Sequence, residues 1–185
     1  MPKTTSSLRH YWIGARIEVQ IMTDNKTETV FVSGSLSVTE LSDFAKAHVR
    51  SIATSRINVL IGDAYGADKL IQQELKNAYD YPFVTVYASN GKARNNIGNY
   101  KVKAIDIPTG IYGRAYYEQK DIAMSRDCDF GFMLWDGKSN GTLNNIRRLI
   151  GMNKLSIVCL SYTRKSYKIE TEQQLDKMLS DIKGE

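Results

Sequence analysis

Residues 129–142 read D-F-G-F-M-L-W-D-G-K-S-N-G-T, and no other stretch of the chain limits the fold as much. From Phe130 to Trp135 polar residues are almost absent, the pattern of a strand covered on both faces. Asp136, Gly137, Lys138, Ser139, Asn140, Gly141 and Thr142 break the run, and Leu143, Ile146, Leu149 and Ile150 follow at helical spacing. A buried strand, a glycine-bearing turn and a helix thus follow one another directly. The first N–H groups of such a helix lack intrahelical partners and lie at the positive end of its dipole. The turn therefore predicts a site for a phosphate-bearing ligand.

The same unit recurs. Residues 29–32, 57–61, 83–87 and 155–160 are short apolar runs, and residues 102–107 form a further candidate strand. Between them lie helical stripes: Leu41, Phe44, Ala45 and Ile52, then Ala67, Ile71, Leu75 and Ala78. Residues 114–126 follow, with Tyr116, Lys120, Ala123 and Met124 on one face, and Leu175, Met178, Leu179 and Ile182 close the chain. Residues 37–40 and 171–174 have capping-box spacing. Alternating strands and helices predict an α/β fold, a Rossmann-like doubly wound, mainly parallel sheet with helices on both faces. The 185 residues fit one domain, placed at 29–185. Residues 1–28 read as an N-terminal arm. Its first fifteen residues lack periodicity, whereas Ile17, Val19 and Ile21 alternate as an edge strand would. A turn at residues 24–26 would pair that strand with residues 29–32 as a hairpin.

Composition excludes little beyond disorder: 42% of residues are hydrophobic and 24% charged. A net charge of +5 is compatible with anionic ligands or nucleic acid, but no dense run of Lys and Arg singles out nucleic acid. No apolar stretch is long enough to span a bilayer and the first twenty residues lack a leader layout, so a cytoplasmic protein without a membrane partner is expected. Cys128 and Cys159 read as free buried thiols. The two histidines, His10 in the arm and His48 on an apolar helix stripe, assemble no catalytic triad or metal cluster; no metal or cofactor is implied. His48 reads as packed structure.

In doubly wound sheets ligands bind beyond the carboxyl ends of the strands. Three turns lie there. The candidate ligand-binding residues are Gly34 and Ser35 in the first, and Gly62, Ala64, Tyr65, Gly66, Ala67 and Asp68 in the second. The third supplies Trp135, Asp136, Gly137, Ser139, Gly141 and Thr142. Gly62 and Gly66 permit positive φ and close backbone approach, although the turn is neither a Walker A nor a G-x-G-x-x-G sequence. Backbone N–H groups of the second and third turns would hold phosphate, aided by the hydroxyls of Ser35, Ser139 and Thr142. Trp135 and Tyr65 would flank a base or ribose, and Asp136 would accept a ribose hydroxyl; Trp135 reads equally as a core aromatic. Asp68 is either a stabilising first-turn carboxylate or a group holding the turn or a ligand hydroxyl. Residues 89–114, with Lys92, Arg94, Lys101, Lys103 and Arg114, read as a lid over an anion or as a solvated basic loop. Lys120 either snorkels to solvent or points into a pocket.

The segments Ser33-Gly34-Ser35, Gly62-Asp63-Ala64-Tyr65-Gly66-Ala67-Asp68 and Trp135-Asp136-Gly137-Lys138-Ser139-Asn140-Gly141-Thr142 resemble the signature turns of the SLOG superfamily, most closely its YspA-like branch. The resemblance spans residues 29–160. It implies a Rossmann-like fold, a nucleotide or nucleotide-derived small molecule as partner, a role as ligand sensor, and assembly as a homo-oligomer, in which Tyr112, Tyr116 and Tyr117 would lie at an interface. The superfamily includes LOG-type phosphoribohydrolases, which cleave the N-glycosidic bond of nucleoside monophosphates. Those enzymes place a glutamate after their Gly-Thr turn, where this chain has Asn144 and Asn145. They also carry an arginine where Lys120 stands, and Asp121 occupies a position where the YspA-like pattern has asparagine. The Arg94-Asn95 pair lies too early in the chain to take that place.

Two readings follow, with binding preferred because asparagine cannot replace a catalytic carboxylate. The alternative is an N-glycosidic hydrolase or transferase, of phosphoribohydrolase or deoxyribosyltransferase type, with Lys120, Asp121 and Asp136 as catalytic candidates and Asp68 as a further carboxylate. Single-stranded DNA binding is a third reading, possible but not favoured.

Overall fold

The computed structural model describes residues 7–12, 18–23 and 27–184, with side chains from residue 27 onward. Its main sheet has seven strands. In chain order they are β3 (Thr29–Gly34), β4 (Asn58–Ile61), β5 (Val84–Ser89), β6 (Lys101–Ile105), β7 (Phe130–Trp135), β8 (Ser156–Leu160) and β9 (Ser166–Ile169). Their spatial order is β6-β5-β4-β3-β7-β8-β9. Every neighbouring pair is parallel except β8 with β9. This is the doubly wound α/β sheet that the alternation of strands and helices predicts.

Two further strands, β1 (Ser7–Trp12) and β2 (Glu18–Thr23), pair antiparallel as a separate two-stranded sheet with Ser7 opposite Thr23 and Trp12 opposite Glu18. The expected hairpin between β2 and the strand at 29–32 is not formed. Both edges of β3 are occupied, by β4 on one side and β7 on the other, so no edge is left for β2. The aperiodic arm also supplies β1, a strand that alternation did not mark. Residues 16 and 17, where the edge strand was expected to begin, and the expected turn at 24–26 lie outside the described residues.

Helices α1 (Asp43–Thr54) and α2 (Ala67–Tyr79) cover one face, burying Ala45, Val49, Ile52, Ile71 and Leu75 against Val30, Val32 and Phe132. Helices α3 (Gly113–Asp127), α4 (Asn140–Gly151) and α5 (Glu172–Lys183) cover the other, where Met124, Ile146, Leu149, Leu175 and Met178 meet Phe31, Met133 and Trp135. Full burial of each Val, Leu, Ile, Phe or Met side chain among these stabilises the fold by roughly 1.5–3 kcal/mol. His48 is fully buried between Phe44 and Phe132, with ring centroids at 5.0 and 5.4 Å. Cys128 and Cys159 are free and buried. Among the described residues no helix is long and apolar enough to cross a membrane.

The capping box at Thr171 and Gln174 forms as its spacing predicts. The one at Ser37 and Glu40 does not. Helix α1 starts five residues later, where Ser42 accepts from the Ala45 N–H, because the Ser37 hydroxyl donates instead to Asp136 Oδ2 at 2.6 Å.

The topology decides where a ligand can enter. From β3 the chain runs outward through β4, β5 and β6, then returns across α3 to β7 on the other side of β3. The strand order reverses between β3 and β7, and at such switch points the helices leave the carboxyl ends of the strands in opposite directions and open a crevice.

Candidate functional site

A cleft of about 550 Å³ lies at this switch point. Ser33, Gly34 and Ser35 end β3 at its base; Ala64 and Asp68 come from the β4–α2 turn. Ser139, Asn140, Gly141 and Thr142 bring the start of α4, and Arg114, Tyr117, Glu118 and Asp121 line the cleft from α3. The three turns singled out by sequence do converge, but not every residue in them faces the cleft.

The first two turns lock together. Ala67 N–H donates to Ser35 O at 3.2 Å, and Ser35 N–H to Leu134 O at 3.0 Å. A Cβ on Gly34 would lie 2.4 Å from Leu134 O and 2.5 Å from Ala67 Cβ. Gly66, at φ +71°, would place one 2.5 Å from Leu36 O. At Gly62 the obstacle is a pair of side-chain charges, with Asp68 Oδ2 at 2.4 Å and Lys120 Nζ at 2.6 Å. Glycine at 34, 62 and 66 thus serves contacts within the protein; of the two for which sequence allowed positive φ or close approach to a ligand, Gly66 has the positive φ. Gly141 is the contrast: nothing lies within 4 Å of where its Cβ would stand, although it lines the cleft.

Asp136 builds the turn before α4. Lys138 and Ser139 N–H donate to its Oδ1 at 2.9 and 2.7 Å, and the Ser37 and Ser139 hydroxyls to its Oδ2 at 2.6 and 2.7 Å. Burial alone would raise the carboxyl; these bonds, Ser37 first, overcome it and hold Asp136 well below the usual carboxylate range. Both oxygens, which sequence offered to a ribose hydroxyl or to catalysis, accept bonds from the turn itself, and the residue does not line the cleft. Trp135 takes the core-aromatic position of its two readings: it is 1% exposed, and its Nε1 donates to Ser139 O at 3.0 Å. Tyr65 is 62% exposed outside the cleft lining, with Lys69 Nζ 6.0 Å from its ring, and Gly137 faces Tyr162. With Ser139 turned back to Asp136, the N–H groups of Asn140, Gly141 and Thr142 make no hydrogen bond among the described residues. Thr142 Oγ1 and Ser35 Oγ stand 3.4 Å apart beside them.

The opposite wall is charged. Lys120 is buried and does not snorkel; its Nζ meets Asp121 Oδ1 at 2.9 Å. Burial would lower the ammonium, but Asp121 and Asp68 outweigh it and keep Lys120 charged. Asp121 Oδ2 accepts from Asn145 Nδ2 at 3.1 Å, and the same amide reaches Ser33 Oγ at 3.1 Å, while Arg148 holds Asn145 Oδ1. Asp68 accepts only a long bond from Ala64 N–H at 3.3 Å, and its burial pushes the carboxyl up to about 7 against the pull of Lys120.

The connection from residue 90 to 100 is bolted down. Arg94 is forked onto Asp63, with Nη2 to Oδ1 at 2.9 Å and Nε to Oδ2 at 3.2 Å, and Asn95 Nδ2 donates to Asp63 O at 2.9 Å. Gln72 Nε2 reaches Gly62 O at 2.9 Å and its Oε1 accepts from Ile97 N–H at 3.0 Å. These bonds tie the stretch to the β4–α2 turn and to α2, and bring Arg94 into the cleft lining.

Sequence therefore finds Gly34, Ser35, Ala64, Asp68, Lys120, Asp121, Ser139, Gly141 and Thr142 in the cleft, names Arg94 and Arg114 only within the basic 89–114 segment, and misses Ser33, Leu36, Tyr117, Glu118, Asn140 and Asn145. One signal was available. Arg114, Tyr117, Glu118 and Asp121 follow i, i+3, i+4, i+7, a polar helix stripe beside the apolar one. Among the described residues no group of three His, Cys, Asp or Glu is arranged to hold a metal ion.

No family model and no curated protein matches the chain. Among solved structures it is similar to DNA processing protein A from Helicobacter pylori, a structure described for its single-stranded DNA binding mode. The two share 15% identity over 82% of this chain and 73% of that one, with a TM-score of 0.57. At that identity the likeness speaks for the fold, and together with the sheet order it establishes the chain as a Rossmann-like α/β protein.

Proposed function

We propose that the chain is a SLOG-type domain that binds a nucleotide or nucleotide-derived small molecule in the switch-point cleft. The observation that carries this reading is the open start of α4. Among the described residues the N–H groups of Asn140, Gly141 and Thr142 have no hydrogen-bond partner, and they stand next to two hydroxyls at the positive end of a twelve-residue helix. A phosphate group there would be held by backbone donors, with Arg114 and Arg94 on the facing wall. Lys120 and Asp121 offer a donor and an acceptor for the sugar hydroxyls.

Calorimetric titration with nucleoside monophosphates, NAD and cyclic nucleotides tests it. Saturable binding by at least one of them is expected, and absence of binding at millimolar concentration for all would overturn the reading.

The cleft wall also favours a second reading, cleavage of an N-glycosidic bond. Asp121 is a cleft carboxylate fixed on both oxygens, and Asp68 titrates near neutrality close to it. Hydrolysis would break the bond between the sugar's C1′ and the base nitrogen, with water supplying the hydroxyl at C1′ and a proton for the departing base. Chromatography of nucleoside monophosphates after incubation distinguishes the two. Base release that Asp121→Asn and Lys120→Ala abolish would establish the enzyme; intact nucleotide would leave a binding domain. A salt-dependent gel shift with single-stranded DNA, the ligand class of the structural neighbour, separates the third reading, since phosphate contacts weaken as salt rises.

A further inference from the structure

Tyr117 stands in the cleft wall as one half of a stack. The Arg94 guanidinium carbon lies 4.6 Å from its ring centroid, within cation–π distance. That guanidinium cannot swing away: Asp63 is 3% exposed and takes Nη2, Nε and, at 3.0 Å, the Arg94 backbone N–H. Tyr116 meets the Tyr117 ring edge-on at 5.2 Å and its hydroxyl accepts from Asn90 Nδ2 at 3.2 Å. Two planar groups are thereby held in fixed orientation, while Tyr117 remains 47% exposed in a cleft whose opposite side offers anion donors. The aromatics that sequence suggested for this task are elsewhere, since Trp135 is buried and Tyr65 lies outside the cleft.

We propose that Arg94 and Tyr117 form the platform on which the planar ring of the cleft's ligand stacks, with Tyr117 the residue that selects a base-bearing ligand over a bare sugar phosphate. The inference rests on the cleft reading above and adds the subsite for the base. Arg and aromatic planes both stack on nucleobases, and because every base has a π-face such contacts tolerate base identity. Holding both planes before the ligand arrives reduces the ordering cost of binding. The platform therefore favours bases over no base and discriminates little among them.

Titration of the full chain with AMP and with ribose 5-phosphate tests this in wild type, Tyr117→Ala and Tyr117→Phe. Wild type is expected to bind AMP at least about tenfold more tightly than ribose 5-phosphate. Tyr117→Ala should remove that advantage and leave ribose 5-phosphate binding unchanged, and Tyr117→Phe should retain it. The side chain is half exposed, so far-ultraviolet circular dichroism should show all three proteins equally folded. Unchanged AMP affinity in Tyr117→Ala, or an equal loss for both ligands, would overturn the platform and leave the phosphate reading standing. Failure of wild type to bind either molecule would overturn both.

Discussion

Asn145 donates its side-chain amide to Asp121 Oδ2 at 3.1 Å, so that a residue of α4 fixes a carboxylate of α3 in the lining of the cleft. Asn145 is 2% exposed, and the same amide serves Ser33 at the end of β3. One asparagine therefore joins three elements where the strand order reverses. Asn145→Ala should cost about 1–3 kcal/mol in urea unfolding, because it leaves buried acceptors without their donor. It should also weaken nucleotide binding by freeing Asp121. Wild-type stability in the variant would show that the amide does not hold the junction.

Two glycines predict opposite outcomes. Gly34→Ala drives a Cβ to 2.4 Å from a backbone carbonyl and should destabilise by at least about 2 kcal/mol, as forced overpacking does. Gly141→Ala meets no atom and replaces a glycine in the first turn of α4, so thermal stability should hold or rise by up to about 1 kcal/mol. Its methyl group would enter the proposed phosphate position, and nucleoside monophosphate affinity should fall at least about tenfold. Unaltered affinity in Gly141→Ala would place the phosphate elsewhere.

His48 should make stability rise with pH. Burial lowers its imidazole to about 4 from an ordinary 6.5, and neither ring nitrogen has a hydrogen-bond partner among the described residues. Between these values the unfolded chain binds the proton and the native chain does not. Stability therefore increases as pH rises from about 4 to 6.5 at up to about 1.4 kcal/mol per pH unit. His48→Leu should flatten that slope and, by removing two unpaired buried nitrogens, stabilise the protein below pH 6. Urea melts of both proteins across this range measure it, and parallel pH profiles would refute the assignment.

Asp68 has the opposite sign. Its carboxyl is raised to about 7 from 3.8, so here the native chain holds the proton while the unfolded chain releases it, and stability falls as pH rises through that window. Asp68→Asn removes the titration. The stability of the variant relative to wild type should climb between pH 4 and 7 and level off above. A constant difference would mean that Asp68 is ionised throughout.

Much of the fold is legible from spacing of a few residues. The parallel strands are short apolar runs, the helices carry stripes at three and four residues, and Thr171 with Gln174 caps α5 as written. The failures share a cause. β9, four residues of mixed pattern, exists through its antiparallel pairing with β8. The start of α1 moves because Ser37 finds Asp136 ninety-nine positions along the chain. Arg94 enters the cleft because Asp63, thirty-one residues earlier, anchors it. None of these partners lies within reach of a periodicity.

Local pattern by itself thus determined a doubly wound sheet and the three turns at its carboxyl edge, because each depends on chain neighbours. Tertiary structure decided which atoms of those turns face the cleft. Gly34, Gly62 and Gly66 are filled by Leu134, Asp68 and Leu36, Asp136 is consumed by its own turn, and Gly141 alone among the turn glycines that line the cleft is left open. The reason is steric and electrostatic: whether a glycine or a carboxylate is available to a ligand depends on what else in the folded chain already occupies the space or the lone pairs beside it.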